Sequence, residues 1–141
     1  PWTLGRRRTA RRTLGLRTTV RRHDDDERPA GLDSRRLAAT ALHEVLRRSA
    51  GLDEVWEPLA RAAGLPPRDE ALARAVLTVS LRRLGTLRRA LADRLTAASP
   101  DERLTALMIT GAAQILFMDV PDHAAVDTAV GVGDVANDRT T

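Results

Sequence analysis

The stretch SPDERLTALMITGAAQILFMDVPDHAAVDTAV, residues 99–130, holds two helix starts and one helix stop. Ser99-Pro100-Asp101-Glu102 is a start signal. It places a hydroxyl where the first amides need a cap, a proline where no backbone N–H is needed, and two acids at the positive end of a helix dipole. Leu104, Leu107, Met108, Ile115 and Leu116 then recur at helical spacing and make this the most apolar segment of the chain. Gly111 falls inside it. A mid-helix glycine costs about 1 kcal/mol against alanine, so its expected role is to let another helix come close. Pro121 ends the segment, and Asp122 can cap the next one through Ala124, Ala125, Val126 and Ala129. That pattern fades at Gly131-Val132-Gly133, which reads as a fraying helix end, and no clear final helix follows before Thr141.

Working back from this stretch, the same logic yields four earlier helices. Leu37, Ala38, Ala41, Leu42, Val45 and Leu46 share one face of a helix expected to be capped by Asp33 and stopped by Gly51. A second runs from about Asp53 to Ala63 on Val55, Trp56 and Leu59 and ends at Gly64. Pro58 within it should cost or kink it unless it falls in the first turn. Pro66-Pro67 punctuate, and Asp69 and Glu70 open a third helix that Leu72, Val76, Val79 and Leu84 carry to Gly85. A fourth is expected over Thr86 to Ala97 on Leu87, Leu91 and Leu95. The expected fold is all-α, a bundle of about six helices.

Composition supports that architecture. Trp2, Trp56 and Phe117 are the only aromatics, so the core must be built from Leu, Val and Ala, which suits close-packed helices better than sheets. The 141 residues fit one domain. Cysteine is absent, which excludes disulfides, thiolate metal sites and a thiolate nucleophile in this chain. No apolar run approaches the roughly 18 residues of a membrane helix, and residues 1–31 lack the apolar stretch of a secretion signal. A cytoplasmic location without membrane association is the expectation.

Charge is unevenly placed. Every basic residue is Arg. Residues 1–31 hold nine of them against Asp24, Asp25, Asp26 and Glu27, a net +5, whereas residues 32–141 are close to neutral at −1. Residues 1–31 read as a disordered Arg-rich arm, because their blocks of like charge offer too little apolar surface to offset the entropy of ordering. Residues 32–141 read as the helical domain, incomplete at its C-terminal side.

Conventional chemistry is sparse. His23, His43 and His123 show no metal-ligand spacing; His43 falls off the apolar face and reads as a solvated helix residue. Gly131-x-Gly133 follows a helix and lacks the third glycine of a dinucleotide loop. Ser34, Ser49, Ser80 and Ser99 lack the strand-turn context of a nucleophile, and Ser34 and Ser99 read as helix-start residues. No catalytic residue, metal site or cofactor is expected. The paired arginines Arg35-Arg36, Arg47-Arg48, Arg82-Arg83 and Arg88-Arg89 admit two readings: exposed helix positions filled by Arg, or guanidinium forks for phosphate. With so few aromatics, any RNA contact should rest mainly on backbone and shape.

Read together, the segments resemble the NusB family. Asp33-Ser34-Arg35-Arg36-Leu37-Ala38 with Ala41-Leu42 looks like its opening helix, Leu52-Asp53-Glu54-Val55 like its second, and Arg68 through Leu81-Arg82 like its third. The strongest match is Gly111-Ala112-Ala113-Gln114-Ile115-Leu116-Phe117, followed by Val120-Pro121-Asp122-His123-Ala124-Ala125-Val126-Asp127-Thr128-Ala129-Val130. The Pro-x-His-Ala-Ala-Val run is closer to the NusB-like N-terminal domain of the RsmB (Sun/Fmu) rRNA cytosine-5 methyltransferases than to free-standing NusB. The resemblance spans about residues 33–136. It implies a fold of short helices in two packed groups and a role in RNA engagement, with Arg35 and Arg36 as the RNA-binding residues. Ala113 stands where the family often has an aromatic, and Val79-Ser80 where it often has Gly-Val. The closing helix and the methyltransferase domain, with its cofactor loop and catalytic cysteines, are expected to be missing.

Three functional readings follow. One is an RNA-binding accessory domain of an S-adenosylmethionine-dependent rRNA methyltransferase, engaging rRNA but without its catalytic domain. Another is a transcription antitermination module of the NusB type, acting with RNA and a ribosomal protein. The third is a truncated fragment without function.

Overall fold

The computed structural model of the chain describes residues 31–93 and 101–138, and the described residues form six helices and no strand. They are α1 (Leu32–Arg48), α2 (Leu52–Ala63), α3 (Pro67–Arg82), α4 (Leu84–Ala92), α5 (Glu102–Phe117) and α6 (Asp122–Asp138). The arm expected over residues 1–31 lies, except for Gly31, outside the described residues, as do Leu95 and the expected Ser99 cap.

Helix α1 is the central element. It packs on α2, α3, α5 and α6, and its small residues allow this. Ala38 and Ala41 are wholly buried, so neighbouring backbones approach closely, while Leu37 and Leu42 fill the spaces between them. Trp56 of α2, Val76 and Leu77 of α3, Leu87 of α4 and Ile109 of α5 complete the main core. A second, smaller cluster of Leu32, Ala39, Leu107 and Val132 docks α6 onto α1 and α5. The Leu/Val/Ala core read from composition is thus present, with Trp56 as its one aromatic.

Several boundaries differ from the sequence expectation for identifiable reasons. Helix α1 begins at Leu32, one residue before the expected Asp33 cap, because Gly31 takes a left-handed φ of 83° that starts the turn earlier. It ends at Ser49, and Gly51 belongs to the start of α2. Gly64 ends α2 as expected, at φ 58° and with its N–H on the Ala60 carbonyl. Pro58 lies in the interior of α2, which continues through it. Both Pro58 and Glu54, whose carbonyl loses a donor, are exposed, so water can serve that carbonyl. Helix α3 stops at Arg82 instead of Gly85. A break at Arg83 (φ −109°) restarts the chain as α4, and Leu87 is then fully buried.

Helix α5 is capped by Asp101, whose side chain accepts from the Arg103 N–H. Helix α6 does not fray at Gly131 but runs to Asp138. Tertiary packing overrides the glycine penalty there: a Cβ at Gly131 would sit 3.2 Å from Leu32 Cδ1, and Val132 is buried. At Gly111, by contrast, an added Cβ would meet Ala129 Cβ at 3.9 Å, an ordinary contact, so α5 and α6 leave room for a methyl group where crowding was expected.

Candidate functional site

The first turn of α1 carries both sequence-nominated residues, and the fold treats them differently. Arg35 is half-buried. Its Nε donates to Gln114 Oε1 of α5 at 2.5 Å, and its Nη1 donates to the Gly31 carbonyl at 3.2 Å. A side chain at Gly31 would collide with this guanidinium, so the glycine also makes room for the contact. Gln114 is 2% exposed and passes the connection inward, its Nε2 donating to the Thr110 carbonyl at 3.0 Å, while Thr110 Oγ1 donates to the Leu107 carbonyl. Burial pushes the Arg35 proton affinity down, but a guanidinium stays charged at any physiological pH. At least two of its five donors are committed inside the protein, so Arg35 fastens α1 to α5.

Arg36 sits on the surface beside it. Its Nη1 lies 3.6 Å from Asp33 Oδ1, too long for a hydrogen bond and worth little as a partly exposed ion pair. The side chain is thus held near the N-terminal end of α1, where the helix dipole adds to the positive potential. Ser34, between Asp33 and Arg35, is buried with a hydroxyl oxygen that has no hydrogen-bond partner.

The other arginine pairs separate cleanly. Arg47 Nη2 reaches Glu44 Oε2 at 2.9 Å and Arg48 Nη2 reaches Glu54 Oε1 at 3.4 Å, so that pair is occupied by carboxylates. The Arg47 hydrogen bond holds the Glu44 carboxyl below the usual carboxylate range against an opposing push from desolvation, and Glu44 in turn raises Arg47. Arg82, Arg83, Arg88 and Arg89 are all exposed. Among the described residues none of the four has a carboxylate partner. Arg83 instead lies over the Phe117 ring, 5.1 Å from its centroid. Sequence reasoning missed this contact, because Arg83 and Phe117 are joined only by the packing of α3 and α4 on α5.

His43 is another departure. Expected to be solvated, its side chain is only 12% exposed and lies between Glu44 Oε1 (3.5 Å from Nδ1) and Glu102 Oε2 (3.7 Å from Nε2). It borders an open depression of about 200 Å³ that Arg47, Arg88 and Thr105 also line. No group of three or more metal-ligating side chains suited to an ion occurs among the described residues. The described Ser and Thr hydroxyls that form hydrogen bonds give them to helix carbonyls, as Ser80 does to Val76. No described helix is long and apolar enough to cross a membrane.

The arrangement is therefore one of cation display on a helical scaffold. Comparison with protein families gives a match to the NusB family over residues 32–139, which takes in all six helices. Comparisons with individual curated proteins and with solved structures returned no match.

Proposed function

This chain belongs to the NusB family, and from that premise we propose that it is an RNA-binding accessory domain of an rRNA (cytosine-5) methyltransferase, acting in the cytoplasm. The family match over the whole helical domain is the observation that supports the RNA-binding part of the reading. Arg36, partly exposed on the first turn of α1, supplies the phosphate contact, and Arg35 contributes by fixing that turn to α5 and through any guanidinium donors it retains. The Pro121-Asp122-His123-Ala124-Ala125-Val126 run favours the methyltransferase branch. In the fold this run forms the entry to α6, with the Ala125 N–H on the Pro121 carbonyl and Ala125 buried.

Methyl transfer to cytosine C5 needs a thiolate nucleophile, and this chain has no cysteine. Its share of the work is then to engage rRNA and position it for a catalytic domain. A second reading, an antitermination-type module that also holds a ribosomal protein, draws on Val126 and Val130. These residues stand one helical turn apart on α6 and are more than half exposed. Sequencing the DNA immediately downstream of the coding region separates the two. A methyltransferase domain with its catalytic cysteines there supports the accessory-domain reading; a free-standing gene followed by unrelated sequence overturns it in favour of the second.

A further inference from the structure

The basic charge of the helical domain is not spread evenly. Residues 71–92 contain five arginines and no acidic residue, in a domain whose overall balance is near neutral. Arg74 is taken by Asp53 at 2.7 Å. The other four, Arg82, Arg83, Arg88 and Arg89, are exposed at the end of α3 and along α4. Guanidinium groups without a carboxylate partner among the described residues leave positive potential uncompensated, so an anionic partner is the natural complement.

Arg83, at the α3–α4 junction, also lies against an exposed aromatic ring. Of the two aromatics among the described residues, Trp56 is buried, whereas Phe117 is 40% exposed and its neighbour Leu116 55% exposed. Leaving a Phe at the surface forgoes burial free energy. Here the ring carries the Arg83 guanidinium above it, a planar cation on an aromatic face. That pair matches a nucleobase and its phosphate in both shape and charge.

The platform is continuous with the proposed phosphate site. Phe117 follows Gln114 by three residues, so the two share a side of α5 about 4.5 Å apart along the axis, and Gln114 is the residue that holds Arg35. The start of α1 and the end of α5 therefore lie at one end of the bundle.

We propose that Phe117 and Arg83 form a stacking platform for an unpaired base of single-stranded RNA, with Arg82 and Arg89 receiving the flanking phosphates. The inference rests on the RNA-binding reading and adds a second contact surface beyond Arg35 and Arg36. It gives the domain a preference for single strands over duplex, because only an unstacked base can reach the ring.

The test uses the full chain and a labelled, unstructured RNA of about 12 nucleotides, with a matched strand in which several bases are replaced by abasic sites. Phe117→Leu, which keeps an apolar side chain at a half-exposed position, should weaken binding by about 5- to 150-fold. The slope of log affinity against log salt should not change, since no phosphate contact is lost. Its affinity for the abasic strand should match that of the unmodified protein. Arg82→Ala and Arg89→Ala should each flatten the salt slope by about 0.7. With Trp2→Phe, which leaves the buried Trp56 as the one other indole, Phe117→Trp should keep affinity and show added fluorescence quenching on RNA addition.

Full-affinity binding by a folded Phe117→Leu protein overturns the platform and leaves the exposed ring to a protein partner. An equal loss toward the abasic strand also overturns it, because the ring would then act without a base. Absence of any salt-dependent RNA binding by the unmodified chain defeats the RNA reading itself, a different failure.

Discussion

Replacing Arg35 should destabilise the protein, and replacing its neighbour Arg36 should not. The Arg35–Gln114 contact is a charge-assisted hydrogen bond, a class worth about 1.5–3 kcal/mol. Arg35 is only half-buried, so solvent screening favours the lower part of that range. Gln114 is 2% exposed, and removing the guanidinium leaves its Oε1 in a buried place without a donor. That penalty, about 1–3 kcal/mol, describes the same loss from the other partner and does not add to it. Arg35→Ala should therefore cost about 2 kcal/mol. For a domain of this size each kcal/mol moves Tm by about 4–8 °C, so the midpoint should fall by about 8–16 °C. Arg36→Ala loses only a 3.6 Å surface ion pair and should cost about 0.5 kcal/mol or less. Thermal melts followed by circular dichroism measure both. In a Gln114→Leu background the Arg35 penalty should shrink to that of a surface arginine. Equal, small losses for Arg35→Ala and Arg36→Ala would refute the assignment of Arg35 as the tie between α1 and α5. The distinction also governs any RNA experiment, since an Arg35 variant loses stability along with charge.

Gly111→Ala should raise stability by about 0.5–1 kcal/mol, because the helix propensity gain meets only an ordinary 3.9 Å contact with Ala129; a lower Tm would contradict the space seen between α5 and α6. Gly131→Ala should gain less or lose, since Leu32 must yield at 3.2 Å. Trp56→Ala should cost about 3–5 kcal/mol, a large share of the roughly 5–15 kcal/mol of an ordinary domain, and lower Tm strongly; a variant that melts at the unmodified Tm would show that the core does not depend on Trp56. The depressed carboxyl of Glu44 contributes stability that is present at neutral pH and is lost as pH falls below the ordinary carboxylate range. The Tm difference between the unmodified protein and Glu44→Gln should accordingly narrow toward acid, and a difference that widens there would reverse the sign of the interaction.

The helices were legible because their signals are local. Gly64 as a helix stop, Pro67 after the turn and the acids opening α3 and α5 each act through the backbone of a few residues. The Leu/Val/Ala periodicity then placed Leu42, Val76 and Ala38 in the core correctly. What sequence could not give was anything decided by contact between distant segments. Arg35 and Gln114 lie 79 residues apart, and nothing in the spacing of Arg35-Arg36 says that one guanidinium turns inward and the other outward. His43 was read as solvated because it lies off the apolar face of its own helix, yet α5 brings Glu102 over it. Gly131 and Gly133 looked like a helix end by propensity, and packing against Leu32 and Leu107 carries α6 through them. The exposed Phe117 was hidden by the apolar segment that contains it, since the same helix also supplies buried residues such as Ala113.

If the helical domain itself engages RNA through arginine–phosphate contacts, its affinity for an rRNA fragment must fall with salt even when residues 1–31 are removed. The full chain, a chain lacking residues 1–31 and the same shortened chain carrying Arg36→Ala are compared once each is shown to be folded. Deleting nine arginines should weaken binding, but a salt-dependent component should survive in the shortened chain. Arg36→Ala should then flatten its slope by about 0.7–0.9. A folded shortened chain with no salt-dependent affinity for any rRNA fragment would contradict engagement by the helical domain and assign all RNA contact to residues 1–31.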